Sequence, residues 1–285
     1  MRKTGHFISM GAIMSNTKSA VAAPIENLEF PAASPACTVK QRVGLTDVEV
    51  AFSRPGVKGR QIFGSLVPYG KLWRAGANQA TKISFSTPVK LNGTDIAAGA
   101  YALFAIPEKD EWTIILNKDT EQGGTGKYDE KLDVARIKAK TVTTSHTIEN
   151  YAIWVDAISD ESATLTLAWE KTEVPVKLEV SFVKELMPQV EAAMASDMKQ
   201  KPFFQAALLF LNHGGDLKKA HTWVDAAIAE RPIYPFHFIK ANIQAKLGEK
   251  KEALETAAKA SELATQADDA GFASRINDFI AHLKK

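Results

Sequence analysis

A chain of 285 residues has room for two domains at about 150 residues each, and its 45% hydrophobic and 24% charged residues are ordinary for a globular protein. A net charge of +2 argues against a dedicated nucleic-acid binder, and no run of about 18 apolar residues offers a membrane-spanning helix. The single cysteine, Cys37, excludes an intramolecular disulfide.

Residues 1–23 read as a leader. Arg2 and Lys3 precede a short apolar patch, Phe7 to Met14, and Ala20-Val21-Ala22 supplies the small-x-small pattern of a cleavage site. Cleavage is expected after Ala22 or Ala23, which would make the mature protein periplasmic or secreted. Ser9 and Gly11 interrupt the patch and Lys18 sits near the cut, so a cytoplasmic tail is the alternative.

Residues 24–183 read as β. The segments "TVKQRV", "DVEVAFS", "KISFS", "YALFAI", "WTIILN", "YAIWVDAI", "ATLTLAWEK" and "VPVKLEVSF" are short and rich in β-branched and aromatic residues, and several alternate with period two. Asn92-Gly93 is a two-residue hairpin turn, since both residues tolerate positive φ. "ISDESA", 158–163, is a second turn, and "EQGGTGKYDEK", 121–131, reads as a mobile polar loop. Eight or more strands with no helix between them predict an antiparallel sandwich or barrel-like domain.

From Lys184 to Lys285 the period is helical. Pro188 and Pro202 are each expected in a first turn, where the missing N–H costs nothing. A repeat is visible. Gly215, Ala220 and Ala227 align with Gly248, Ala253 and Ala260, and Pro232 closes the first unit. This spacing resembles the tetratricopeptide repeat over 201–267. One position departs from it: Ala241 is small, whereas its counterpart by this alignment is Leu208. Helices at 188–200 and 268–283 are expected to cap the two units. The resemblance implies a groove lined by Asn212, His213, Phe238, Asn242 and Lys246 that takes an extended peptide of a protein partner.

Catalytic signatures are sparse. "GGTGKYD", 123–129, lacks the first glycine of a phosphate loop, because position 121 is Glu, and Tyr128 stands where Ser or Thr should hold magnesium. "SFVK", 181–184, has Ser-x-x-Lys spacing without its companion motifs. There is no Gly-x-Ser-x-Gly elbow and no His-Glu-x-x-His. The histidines fall at no metal-pair spacing, so neither a metal nor a cofactor is expected. Asp119 with Glu121, Asp129 with Glu130 and Asp160 with Glu161 sit in polar turns, where solvation accounts for them.

The informative stretch is basic. From Val50 to Thr94 there are seven Lys or Arg and no Asp or Glu, although the whole chain is almost neutral. Glycines at 56, 59, 64, 70 and 76 permit tight turns. Arg54, Lys58, Arg60 and Arg74 supply charge, Tyr69 and Trp73 supply flat surfaces, and Asn78 donates and accepts. Such an excursion between strands suits an anionic or carbohydrate ligand, because guanidinium forks match carboxylate and phosphate. The competing reading is packing: Trp73 and Tyr69 plug the end of the sandwich while the arginines bind loop carbonyls.

At this stretch the sequence resembles a bacterial family catalogued as domain of unknown function 2911. "SRPGVKGRQIFG" (53–64) and "PYGKLWRAGANQATKI" (68–83) carry the likeness most specifically, and it extends over about 34–182. "ATLTLAWEKTEVPVKLEV" (163–180) corresponds to the family's closing pair of strands. The resemblance implies export and brings no catalytic residues. Three functions remain open. The first is a non-enzymatic module with an anion-binding loop and a partner-binding helical part. The second is an envelope hydrolase that steadies an anion with Arg54, Arg60 or Arg74. The third is a purely structural envelope protein.

Overall fold

The computed structural model describes residues 30–285. The leader expected over 1–23 lies outside the described residues. Ten strands come first: β1 (Ala36–Val43), β2 (Thr46–Ser53), β3 (Thr81–Phe85), β4 (Val89–Leu91), β5 (Thr94–Ile96), β6 (Gly99–Ile106), β7 (Glu111–Asn117), β8 (Asp133–Lys140), β9 (Val142–Asp156) and β10 (Ser162–Val180). Six helices follow: α1 (Val183–Ala195), α2 (Phe203–His213), α3 (Leu217–Glu230), α4 (Tyr234–Leu247), α5 (Lys250–Gln266) and α6 (Ala270–Lys284).

The strands form two antiparallel sheets in the orders β1-β2-β3-β6-β7-β8 and β5-β4-β10-β9. They face each other as a sandwich and do not close into a barrel. Alternation along the strands builds the core. In β2, Val48, Val50 and Phe52 point inward while Asp47 and the less buried Glu49 lie on the other face. Facing side chains from the second sheet include Ile153, Leu165, Leu167, Val176 and Leu178. Asn92 and Gly93, at φ 44° and 81°, make the tight β4–β5 turn.

The fold departs from the sequence reading at several points. "ATLTLAWEK" and "VPVKLEVSF" are not two strands but one, β10, of 19 residues. Its pairing with β9 shifts on either side of Glu170, which lies at φ 57°, so a bulge stands near the break between the two expected segments. "DVARIKAK", absent from the expected strands, forms β8. The 121–131 segment is held down rather than free. Gln122 is buried and bonds Asn117 and the Asp119 carbonyl, and the Tyr128 hydroxyl donates to Asp133. Pro188 lies inside α1 and not in its first turn, because the helix begins at Val183. Pro202 is the N-cap of α2.

The helices pack in sequence, and α4 touches both α2 and α3. Ala220, Ala227, Ala253 and Ala260 are buried between them, as close helix approach requires. Gly214 and Gly248, at φ 81° and 86°, are the left-handed C-caps of α2 and α4. Counted back from these caps, the equivalent of Ala241 is Ala207, not Leu208, and both alanines have 0% exposure. The α2–α3 loop is one residue longer than the α4–α5 loop, which accounts for the apparent departure. At the junction with the strands, the His213 ring faces Asp160 and Glu161 and meets Phe182 edge-on. No helix among the described residues is long and apolar enough to cross a membrane.

Candidate functional site

The 54–80 excursion leaves the end of β2 and closes one end of the sandwich. Its first part crosses to the other sheet. Tyr151 N–H donates to Pro55 O at 2.9 Å, and Val57 N–H donates to Glu149 O at 2.7 Å, which lays residues 55–57 beside β9. Its last part returns to the first sheet. Trp73 and Ala105 exchange two backbone hydrogen bonds of 2.8 Å, continuing the ladder of β6 past the start of β3. Directly opposed residues on antiparallel strands project to the same face. Ala105 faces the core, so Trp73 enters it too.

An aromatic cluster results. The Trp73 ring lies 5.2 Å from Tyr151, 5.9 Å from Trp112 and 6.0 Å from Phe63, all near edge-on, and stacks on Trp169 at 6.0 Å. The buried indole N–H of Trp73 donates to Gly76 O at 3.2 Å. Burial drives the Tyr151 phenol well above its ordinary range, and its hydroxyl finds no partner among the described residues.

Beside this cluster lies an open pocket of about 360 Å³. Lys58, Arg60 and Arg74 line it together with Trp73, Trp169, Leu66 and Val67, and Ser34, Gly56, Gly76 and Ala77 complete its wall. Among the described residues, no carboxylate lines it. Among the described residues, Lys58, Arg60 and Arg74 make no ion pair, whereas Lys82 and Lys90 of the same basic stretch reach Glu121 and Asp95. Arg60 is anchored by Nε to Val57 O and Nη2 to Gly56 O, at 3.0 and 2.6 Å, which leaves its other N–H donors free. The Nε of Arg74 is buried without an acceptor among the described residues. Lys58, at φ 50°, has its backbone N–H fixed by the Glu149 carboxylate at 2.9 Å.

The seven ligand-binding candidates divide. Lys58, Arg60, Trp73 and Arg74 come together on the pocket. Arg54 instead donates from Nε to Tyr151 O at 3.0 Å. Tyr69 is half-buried over Gly64, where an added Cβ would meet its ring at 2.7 Å. Asn78 ties Ser34 O to Ser53 Oγ. Four of the seven thus share one pocket, and the other three are taken up by packing and internal hydrogen bonds. Sequence reasoning missed Trp169, which reaches the pocket from β10. Its only signal was an aromatic in a strand otherwise built from smaller residues.

The five helical candidates are placed differently from one another. Phe238 is a core residue, not a groove residue, packed edge-on against Phe272 and Phe279 because α6 covers that face of α4. Lys246 donates to Leu211 O, Asn242 to Phe238 O, and His213 faces the strand region. Asn212 is exposed. Among the described residues, no cluster of three or more His, Cys, Asp or Glu is arranged to hold a metal.

A family model described as "Protein of unknown function (DUF2911)" matches residues 34–178. The chain belongs to the DUF2911 family. Every charged and aromatic residue of the pocket lies within the DUF2911 region, and the six helices lie beyond it. No curated protein and no solved structure matches the chain.

Proposed function

We propose that the DUF2911 region of this protein is a binding module for an anionic ligand, held at the pocket between the 54–80 excursion and β10. The observation that carries this reading is the gathering of Lys58, Arg60 and Arg74 on one pocket with, among the described residues, no carboxylate in its wall and no ion pair to neutralise them. Three like charges brought together repel one another, and an anion relieves that repulsion. An Asp or Glu inside the stretch would instead neutralise the arginines in advance. The placement of the leader and its periplasmic or secreted destination belong to the same proposal: an envelope protein would meet anionic glycans and phosphorylated compounds there.

The test is isothermal titration of the protein with phosphate-bearing and uronic-acid glycans at low and high salt. Binding is expected at low salt and is expected to fall as salt rises, since exposed charges are screened over about 8 Å at physiological ionic strength. Absence of binding to every anion at low salt would leave the charge as a solvated face. The helical part is not proposed as a peptide groove, because Phe238, Asn242 and Lys246 are committed to contacts within the helices.

A further inference from the structure

The carbonyls of Arg74, Ala75 and Gly76 are all engaged. Thr81 N–H donates to Arg74 O at 3.4 Å, Thr81 Oγ1 donates to Ala75 O at 2.6 Å, and Trp73 Nε1 donates to Gly76 O at 3.2 Å. Three consecutive carbonyls are thereby held from the Thr81 and indole side. In a planar trans peptide the C=O of one residue and the N–H of the next point in opposite directions. The N–H groups of Ala75, Gly76 and Ala77 must then face away from Thr81 and the indole nitrogen. None of the three donates to an acceptor among the described residues, although Ala75 is fully buried and Gly76 is buried. Buried backbone donors without an acceptor are rare. Ala75 sits at φ 48° and Gly76 at φ 154°, so the chain bends sharply, and unengaged backbone N–H groups at such a turn offer an anion-binding concavity, here called a nest. Arg74, Gly76 and Ala77 all line the pocket, and the orphaned Nε of Arg74 lies in the same segment.

We infer that this nest holds a phosphoryl group, either inorganic phosphate or the head of a phosphate monoester. The inference rests on the anionic-ligand reading and narrows it. Three backbone donors, Arg74 Nε and the free donors of Lys58 and Arg60 outnumber what a planar carboxylate accepts, which has about four lone-pair sites. A phosphate monoester offers three terminal oxygens and a charge of about −1.5 to −2, closer to the three cations present. The aromatic residues do not form a sugar platform. Trp73 and Trp169 stack on each other at an interplanar angle of 17° and are both buried, so their faces are already occupied.

The test is amide NMR on the full-length, isotopically labelled protein. It is titrated at constant ionic strength with inorganic phosphate, a sugar phosphate, acetate and glucuronate. The amide protons of Ala75, Gly76 and Ala77 are expected to move downfield and saturate with either phosphate, the tighter binder telling the free anion from the ester. Arg74→Ala is expected to weaken that binding at least tenfold. Phosphate that perturbs Lys58 and Arg60 but leaves the three amides in place would overturn the nest while sparing the anionic-ligand reading. Carboxylates that move the amides as strongly would overturn the phosphoryl assignment. No response to any of the four would overturn both. The wild-type titration stands alone if Arg74→Ala fails to fold.

Discussion

Trp73→Phe tests whether one indole both plugs the sandwich and sets the peptide planes of the pocket. The substitution removes roughly three buried heavy atoms, and at about 0.8 kcal/mol per buried methylene-sized group this costs about 2 kcal/mol. It also removes the donor to Gly76 O. A buried acceptor left without a partner costs about 1–3 kcal/mol. The total is about 3–5 kcal/mol. With a urea slope of about 2 kcal/mol per molar, the unfolding midpoint of the strand region should fall by about 1.5–2.5 M. Near-ultraviolet circular dichroism follows the aromatic cluster, and far-ultraviolet circular dichroism at helical wavelengths follows α1–α6, so loss confined to the strands is separable from global unfolding. A cost below about 1 kcal/mol with unchanged aromatic bands would show that Trp73 is not locked as described. Anion affinity should fall in the same variant, since the Gly76–Ala77 peptide would lose the bond that orients it.

Arg74→Ala should weaken anion binding by about 1.5–3 kcal/mol with little loss of stability, whereas Arg54→Ala should cost stability and leave binding intact, because Arg54 serves Tyr151 O; equal effects in titration calorimetry would refute the division between them. Gly64→Ala should destabilise by about 1–3 kcal/mol in thermal melts, as it forces a side chain at φ 83° into the Tyr69 ring. His237 is held below its ordinary 6.5 by burial first and then by Lys240 and Lys259. Its neutral form is favoured in the fold, so its contribution to stability is present above pH 6.5 and is lost as pH falls through the lower folded value. The helical melting temperature should drop on acidification, and His237→Gln should flatten that drop; an unaltered pH profile would discount the site.

Local rules made much of this fold legible. Asn92-Gly93 demanded positive φ and received it, and the alternation of "DVEVAFS" fixed which face of β2 is buried. The failures trace to context. The polar stretch after Trp169 divided β10 into two expected strands, but Glu170 in a left-handed conformation makes a bulge that lets one strand continue. β8 alternates as cleanly as β2, yet its Lys and Arg residues on the solvent face masked it. At the site, composition alone marked the acid-free stretch. It could not divide Arg74 from Arg54, because that depends on which carbonyls lie nearby after folding. Nor could it find Trp169, 95 residues beyond Arg74, or three backbone amides, which have no letter in the sequence.

The continuity of β10 into α1 sets a mechanical path through the molecule. Only Ser181 and Phe182 separate the end of the 19-residue strand from the first helix. Tension applied to the helices, by a tether or a bound neighbour, would pass directly into β10. That strand is flanked by β4 and β9 along antiparallel ladders. A pull along its axis loads many of those hydrogen bonds together in shear rather than opening them one at a time. The bulge at Glu170 interrupts the β9 ladder on that line and lies next to Trp169, so load that passes the β4 pairing at 178–180 would reach the wall of the pocket there.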